Sequence, residues 1–332
     1  MSYNISLSIR RLAVMSSALV GMTACQDANP TQPLQKHAAA SAPSGTKLVP
    51  QFNFHGILFI GNQDDFRGEV YAMNADGTNI VRLTADDSVD SYPDISPASP
   101  SFVWVRNLDW NRTEIYSQNL DGTNRKRLTN SGSVLTRPRF SPDGTKIAYI
   151  DMFDTSGPEI HVMNADGSNP HRVSNTGRNI QSFAWSPDGS KMAYTANNDS
   201  LVQSIWTMNS DGTNRKMILS CPEVNAGCGD VSWSPVANEI AFEYNDFKGI
   251  FAINATTGAE VGYIPNPLKY SDFYPVWSSD GKKISFVSTR SNNNGFDLFQ
   301  TSLVRGPLAQ RQTVQRLTSI IGYELMPSYS RY

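Results

Sequence analysis

From about residue 53 to the C-terminus, apolar positions fall into short runs of four to six residues separated by Asp-Gly, Ser-Pro and Asn-rich breaks. One stretch shows the pattern in full: Arg137-Pro-Arg-Phe-Ser, Lys146-Ile-Ala-Tyr-Ile, Glu159-Ile-His-Val-Met and His171-Arg-Val-Ser. Runs this short, alternating and rich in β-branched and aromatic residues, predict strands rather than helices. The Asp-Gly pairs predict tight hairpins, because Gly takes the positive φ of such a turn and Asp bonds its own turn backbone. The expected unit is a four-stranded antiparallel sheet.

That unit repeats. Asn74-Ala-Asp-Gly, Asn119-Leu-Asp-Gly, Asn164-Ala-Asp-Gly and Asn209-Ser-Asp-Gly follow one another at steps of 45, and Asn254-Ala-Thr-Thr-Gly continues the step. A second series runs Ser96-Pro, Ser141-Pro-Asp-Gly, Ser186-Pro-Asp-Gly, Ser234-Pro and Ser278-Ser-Asp-Gly. A period of this size marks a solenoid or a propeller, and four strands per unit match a propeller blade. Second-strand aromatics occur at Phe59, Trp104, Tyr149, Tyr194, Phe242 and Phe286, which counts six blades. First strands end at Ile95, Phe140, Trp185, Trp233 and Trp277, one short; Met326-Pro-Ser-Tyr-Ser parallels Tyr274-Pro-Val-Trp-Ser and supplies the missing strand. The expected fold is all-β: a six-bladed β-propeller of four-stranded blades over residues 53–332, closed by the C-terminal strand completing the N-terminal blade. Closure would remove the open edges of a linear stack.

Units such as Ser186-Pro-Asp-Gly-Ser-Lys-Met-Ala-Tyr and Ile205-Trp-Thr-Met-Asn-Ser-Asp-Gly-Thr-Asn resemble the WD40-like repeats of the TolB β-propeller family. The resemblance covers nearly all of residues 53–332 and implies the propeller fold. It says little about activity, since one fold hosts many. The family's α/β domain ahead of the propeller has no counterpart in the pattern read here.

The N-terminal residues read as an address. Arg10 and Arg11 precede the apolar stretch Leu12–Ala24, with no acidic residue before Asp27, which is the layout of a secretory signal peptide over residues 1–24. Met22-Thr23-Ala24-Cys25 resembles the bacterial lipobox, which implies lipidation of Cys25. Gln26 after it implies outer-membrane sorting, by resemblance to enterobacterial lipoproteins. Residues 25–52, rich in Ala, Ser, Pro and Gln, are expected to form a flexible tether. The expected location is therefore the periplasmic side of the outer membrane or the cell surface, with the lipid as the sole membrane contact.

Composition narrows the chemistry. A net charge of −2 with 17% charged residues gives no basic footprint for nucleic acid. With four His and three Cys, no His-x-x-His or Glu-x-x-His pair is present, so no metal or other cofactor is expected. No Gly-x-Ser-x-Gly elbow appears. His161 sits in the third-strand column Tyr71, Tyr116, His161, Trp206, Phe251, Phe299 and is expected to replace an aromatic packing residue. Cys221 and Cys228 bracket a short loop and are expected to form a disulfide after export.

The remaining signal is loop length. First-to-second and third-to-fourth turns are tight and uniform, while the connections on the opposite face are longer and differ in every blade. Variable loops on a rigid scaffold are where binding is usually built. The residues opening the first strands (Tyr92, Arg137, Ser182, Asp230, Tyr274 and Met326), and those two positions earlier (Asp90, Asp272 and Glu324 among them), are expected to ring the channel mouth. With Trp110 from a second-to-third loop, Tyr92, Arg137, Asp230, Tyr274, Asp90, Asp272 and Glu324 are the candidate partner-binding residues. No catalytic residue is expected. The reading is a monomeric, non-catalytic scaffold for an envelope protein or glycan; the alternative is a metal-dependent polysaccharide lyase or a hydrolase working in the channel.

Overall fold

A computed structural model describes residues 56–62, 67–109, 111–221, 227–244, 249–266, 270–290, 295–306, 313–318 and 324–329. These residues form six four-stranded antiparallel sheets, with no helix among them. From the channel outward, blade one is Glu324–Tyr329, Gly56–Gly61, Glu69–Asn74 and Val81–Arg82. Blade two is Asp90–Ile95, Ser101–Asp109, Arg112–Asn119 and Lys126–Arg127; blade three is Leu135–Phe140, Lys146–Asp151, Glu159–Asn164 and His171–Arg172. Blade four is Ser182–Trp185, Lys191–Asn197, Gln203–Asn209 and Lys216–Ser220. Blade five is Cys228–Trp233, Glu239–Tyr244, Gly249–Asn254 and Glu260–Tyr263; blade six is Asp272–Trp277, Ile284–Ser288, Asp297–Thr301 and Gln315–Arg316. The C-terminal strand completes the first blade, with Ile57 opposite Tyr329 and Gly61 opposite Glu324.

The core lies between blades. Second strands such as Ile57–Ile60, Phe102–Val105 and Ile147–Ile150 are buried on both faces, because each sheet is covered by a neighbour on either side. Six apolar clusters result, one in each gap between adjacent blades, including the gap between blades six and one where Val287 and Leu298 meet Ile57, Phe59 and Tyr329. A cross-strand aromatic pair recurs in every blade: Phe59–Tyr71, Trp104–Tyr116, Tyr149–His161, Tyr194–Trp206, Phe242–Phe251 and Phe286–Phe299. His161 thus occupies an aromatic position, its ring centroid 5.6 Å from that of Tyr149, while its Nε2 lies 2.9 Å from Asp154 Oδ2.

In blades two to five the two tight turns share one face and are hydrogen-bonded to each other. Leu120 N–H donates to Pro100 O at 2.8 Å, Ala165 to Thr145 O at 2.9 Å, and Ser210 to Ser190 O at 2.9 Å. Within the Asn-x-Asp-Gly turns, Asp76, Asp166 and Asp211 each accept from the N–H two residues on, with hydroxyl bonds from Thr78 and Thr213, and their pKa values are lowered as a result. Asp121 accepts from Thr123 in the same way. These carboxylates are engaged by their own turns. Gly212 shows why glycine is required there: its φ is +86°, and a Cβ would stand 1.9 Å from Val173 O of the preceding blade.

Candidate functional site

The innermost strands position the site. On four of them the third residue precedes a proline and adopts left-handed backbone: Tyr92 (φ 49°), Arg137 (φ 56°), Tyr274 (φ 51°) and Met326 (φ 56°). Each lies at a β-bulge in the ladder to the second strand. Bulky residues rarely take positive φ, and such strain persists only where the surroundings hold it. Here the bulge turns these side chains toward the channel.

A cavity of about 210 Å³ runs along the channel. Its upper tier is Tyr92, Arg137, Ser182, Asp230, Tyr274 and Met326, one residue from each blade. The middle tier holds Asp94, Arg139, Ala184, Ser232, Val276 and Ser328, and Pro142, Pro187, Pro235 and Ser279 line the end at the tight-turn face. Arg137 crosses the upper tier. From blade three it pairs with Asp230 of blade five, passing the small Ser182 of blade four, and its guanidinium carbon lies 5.0 Å from the Tyr92 ring centroid and 5.8 Å from that of Tyr274. Burial opposes the Arg137 charge, but Asp230 and the flanking groups outweigh it and raise its pKa. Burial likewise pushes the Tyr92 and Tyr274 hydroxyls up. The Arg137–Asp230 contact is a charge contact rather than an aligned hydrogen bond, since Asp230 Oδ1 stays without a hydrogen-bond partner.

Below it, Asp94 ties three blades together. Its Oδ1 accepts from Ser328 Oγ at 2.8 Å and Arg139 Nη1 at 3.3 Å, and its Oδ2 accepts from Phe140 N–H at 2.8 Å. Further links complete the ring: Trp185 Nε1 to Arg139 O, Val231 N–H to Ser182 Oγ, Trp277 Nε1 to Ser232 O, and Tyr329 Oη with Ser285 Oγ. These bonds make the channel wall a rigid scaffold.

The six upper-tier residues therefore meet around the channel, buried or half-buried within it rather than on an open rim. Asp90 and Asp272 do not join them, contrary to the expected second ring. Two positions earlier on the strand, they turn into their own blades and pair with second-strand-side arginines. Asp90 meets Arg106 Nε at 3.3 Å; Asp272 accepts Arg290 Nη2 at 2.5 Å and Ser288 Oγ at 2.6 Å. The equivalent positions Leu135, Ile180 and Cys228 are buried apolar core, which is why the column faces inward. Glu324 is described in its backbone, pairing with Gly61. Trp110 and Cys25 lie outside the described residues. Cys221 and Cys228 are disulfide-bonded, with Cα atoms 5.9 Å apart, and both are fully buried.

Sequence reasoning missed Asp94, Arg139 and Glu243. Glu243 is buried, and its Oε2 accepts the Tyr274 N–H at 3.3 Å. The signal for the bulge was available: Tyr92-Pro, Arg137-Pro, Tyr274-Pro and Met326-Pro share one register.

No family model and no curated protein matches the chain. Solved structures do. A putative TolB from Agrobacterium tumefaciens superposes with a TM-score of 0.61 at 17% identity, covering 81% of this chain and 91% of that one. TolB from Acinetobacter baumannii gives a TM-score of 0.65 at 17% identity, covering 83% of this chain and 66% of that one. The chain shares the fold of the TolB propellers. An oligogalacturonate lyase in complex with manganese also superposes, with a TM-score of 0.53 at 14% identity over 74% of each chain. Among the described residues of this TolB-like propeller, no three His, Cys, Asp or Glu side chains gather where they could hold a metal ion.

Asp90 carries a measurable pH signature. Burial, only partly offset by Arg106, raises its pKa to about 6 from 3.8. The folded chain therefore holds an extra proton between about pH 4 and 6, and stability falls as pH rises through that window. Asp90→Asn removes the effect. Relative to wild type, the variant is expected to gain up to about 3 kcal/mol on going from pH 4 to pH 7. Parallel urea titrations check this; equal pH profiles for the two proteins would refute it.

Proposed function

We propose that this chain is a non-catalytic binding scaffold of the bacterial cell envelope, anchored through lipidated Cys25, whose longer-loop face docks an envelope protein. The observation that carries this reading is the contrast between the two faces. On the tight-turn face, the two turns of each blade from two to five are alike and hydrogen-bonded to one another. The opposite face differs in every blade and presents exposed apolar side chains: Phe153 (67% exposed) and Leu201 (70%) in second-to-third loops of neighbouring blades, and Val89 before blade two. Val236 is the comparable side chain on the tight-turn face. Apolar groups exposed on variable loops are the usual makings of an interface. Structural likeness to the TolB propellers supports such a scaffold at the level of fold.

In the channel, Arg137 faces Asp230, and Arg139 is bound to Asp94. This charge compensation favours a structural and binding role over acid–base chemistry. The test is affinity capture from envelope membranes with the full chain. Wild type is expected to retain one protein in stoichiometric amount, and Phe153→Asp/Leu201→Asp to lose it without a change in melting temperature. Capture that is unaffected by the double substitution would move the interface elsewhere. In the same fractionation, Cys25→Ala should leave the membrane pellet; retention there would remove the lipid anchor from the proposal.

A further inference from the structure

We infer that the channel cavity is itself a binding site, for a single neutral sugar-sized polyol, entered from the tight-turn face. Such a site is independent of docking at the opposite face. Four features of the cavity carry it.

First, the wall carries hydrogen-bond donors that its own residues do not use. The hydroxyls of Ser182 and Ser232, both on the lining, accept Val231 N–H and Trp277 N–H, with no acceptor for their own O–H among the described residues. Arg139 uses Nη1 on Pro93 O and Asp94, leaving its Nε and Nη2 donors without hydrogen-bond partners among the described residues. Buried polar groups are ordinarily paired, so a wall with unused donors points to an occupant that accepts from them. A hydroxyl oxygen accepts from such donors and brings no charge.

Second, the charge of the cavity is balanced. Arg137 stands against Asp230, and Arg139 against Asp94. A free carboxylate or ammonium ligand would meet an opposite charge already committed and a like charge beside it, whereas a neutral polyol meets neither penalty.

Third, the walls are aromatic and apolar between these polar points, with Tyr92, Tyr274, Trp233 and Pro235 on the lining. Such a mixture of flat apolar surface and few placed polar groups is typical of small-molecule sites. A sugar ring presents C–H faces to the first and hydroxyls to the second.

Fourth, size and access agree. A cavity of about 210 Å³ holds about seven waters, the scale of one sugar ring with its hydroxyls rather than of a chain. Arg137 spans the upper tier, whereas at the tight-turn end Pro187 is exposed and Ser279 half-buried.

Isothermal titration of the full chain with glucose, galactose and N-acetylglucosamine, and with glucuronate as the charged comparison, tests the proposal. At least one neutral sugar is expected to bind saturably, with a Kd below about 10 mM. Trp233→Leu removes the flat ring from the lining, and should weaken that binding by about three- to tenfold. Ser279→Trp should block the entrance and abolish binding, with the melting temperature and any capture of an envelope protein unchanged. Binding of glucuronate alone would overturn the neutral-ligand assignment. Absence of saturable binding by every neutral sugar would mean that the cavity holds water only. Sugar binding insensitive to both substitutions would place the site outside the channel.

Discussion

Arg137→Ala is expected to destabilise the propeller by roughly 3–5 kcal/mol, the usual effect of stripping one partner from a buried ion pair. The substitution removes the cation that faces Asp230 across the channel, and Asp230 is nine-tenths buried. It also removes the guanidinium held between the Tyr92 and Tyr274 rings, an interaction that contributes on the order of 1 kcal/mol per ring at a partly buried site. For a domain of this size the melting temperature should fall by roughly 5–15 °C. Most of the effect comes from the carboxylate left behind without its cation, and the guanidinium–ring packing adds the smaller share, which gives the prediction its control. Arg137→Met/Asp230→Asn removes both charges while keeping similar volumes, and should recover more than half of the lost stability. If the double variant is as unstable as Arg137→Ala, the pair is not the source of the effect.

Removing residues 325–332 should abolish folding altogether. The deletion takes away the innermost strand of blade one, including Met326 and Tyr329, both buried. Each such side chain contributes about 1.5–3 kcal/mol on burial, and the clusters between blades six and one and between one and two both lose members. Ser328 also leaves Asp94, and Tyr329 leaves Ser285. Against a total stability of about 5–15 kcal/mol, losses on this scale, together with a newly exposed edge on Gly56–Gly61, should leave no folded population. Circular dichroism of the truncated chain checks this, and a cooperative native-like melt would disprove closure by that strand. The complementary test is a permuted chain that begins at Glu324 and joins Tyr332 to Asn53 through an Asp-Gly turn. It places the strands of blade one in the same order as those of the other blades, and it should fold.

The contrast between these two predictions follows what the chain shows before it folds. The closing strand was legible because Met326-Pro-Ser-Tyr-Ser repeats Tyr274-Pro-Val-Trp-Ser, and a repeat carries its register with it. His161 was legible in the same way, as the one imidazole in a column of aromatic rings. Asp90 and Asp272 were placed on the correct strands but on the wrong side. The β-bulge between the two expected rings shifts the alternation, so that Tyr92 and Tyr274 face the channel while Asp90 and Asp272 face Arg106 and Arg290.

The sequence by itself determined the number of blades, the four strands of each, the tight turns and the closure of the ring, because all of these rest on local chemistry repeated at a near-constant step. Only the tertiary structure decided what the channel contains. Arg137 and Asp230 are separated by two blades along the chain and meet because Ser182, between them, is too small to fill the gap. Which side chains meet at the axis depends on the residue sizes at six ring positions and on the bulges that aim them, and no single repeat encodes that sum.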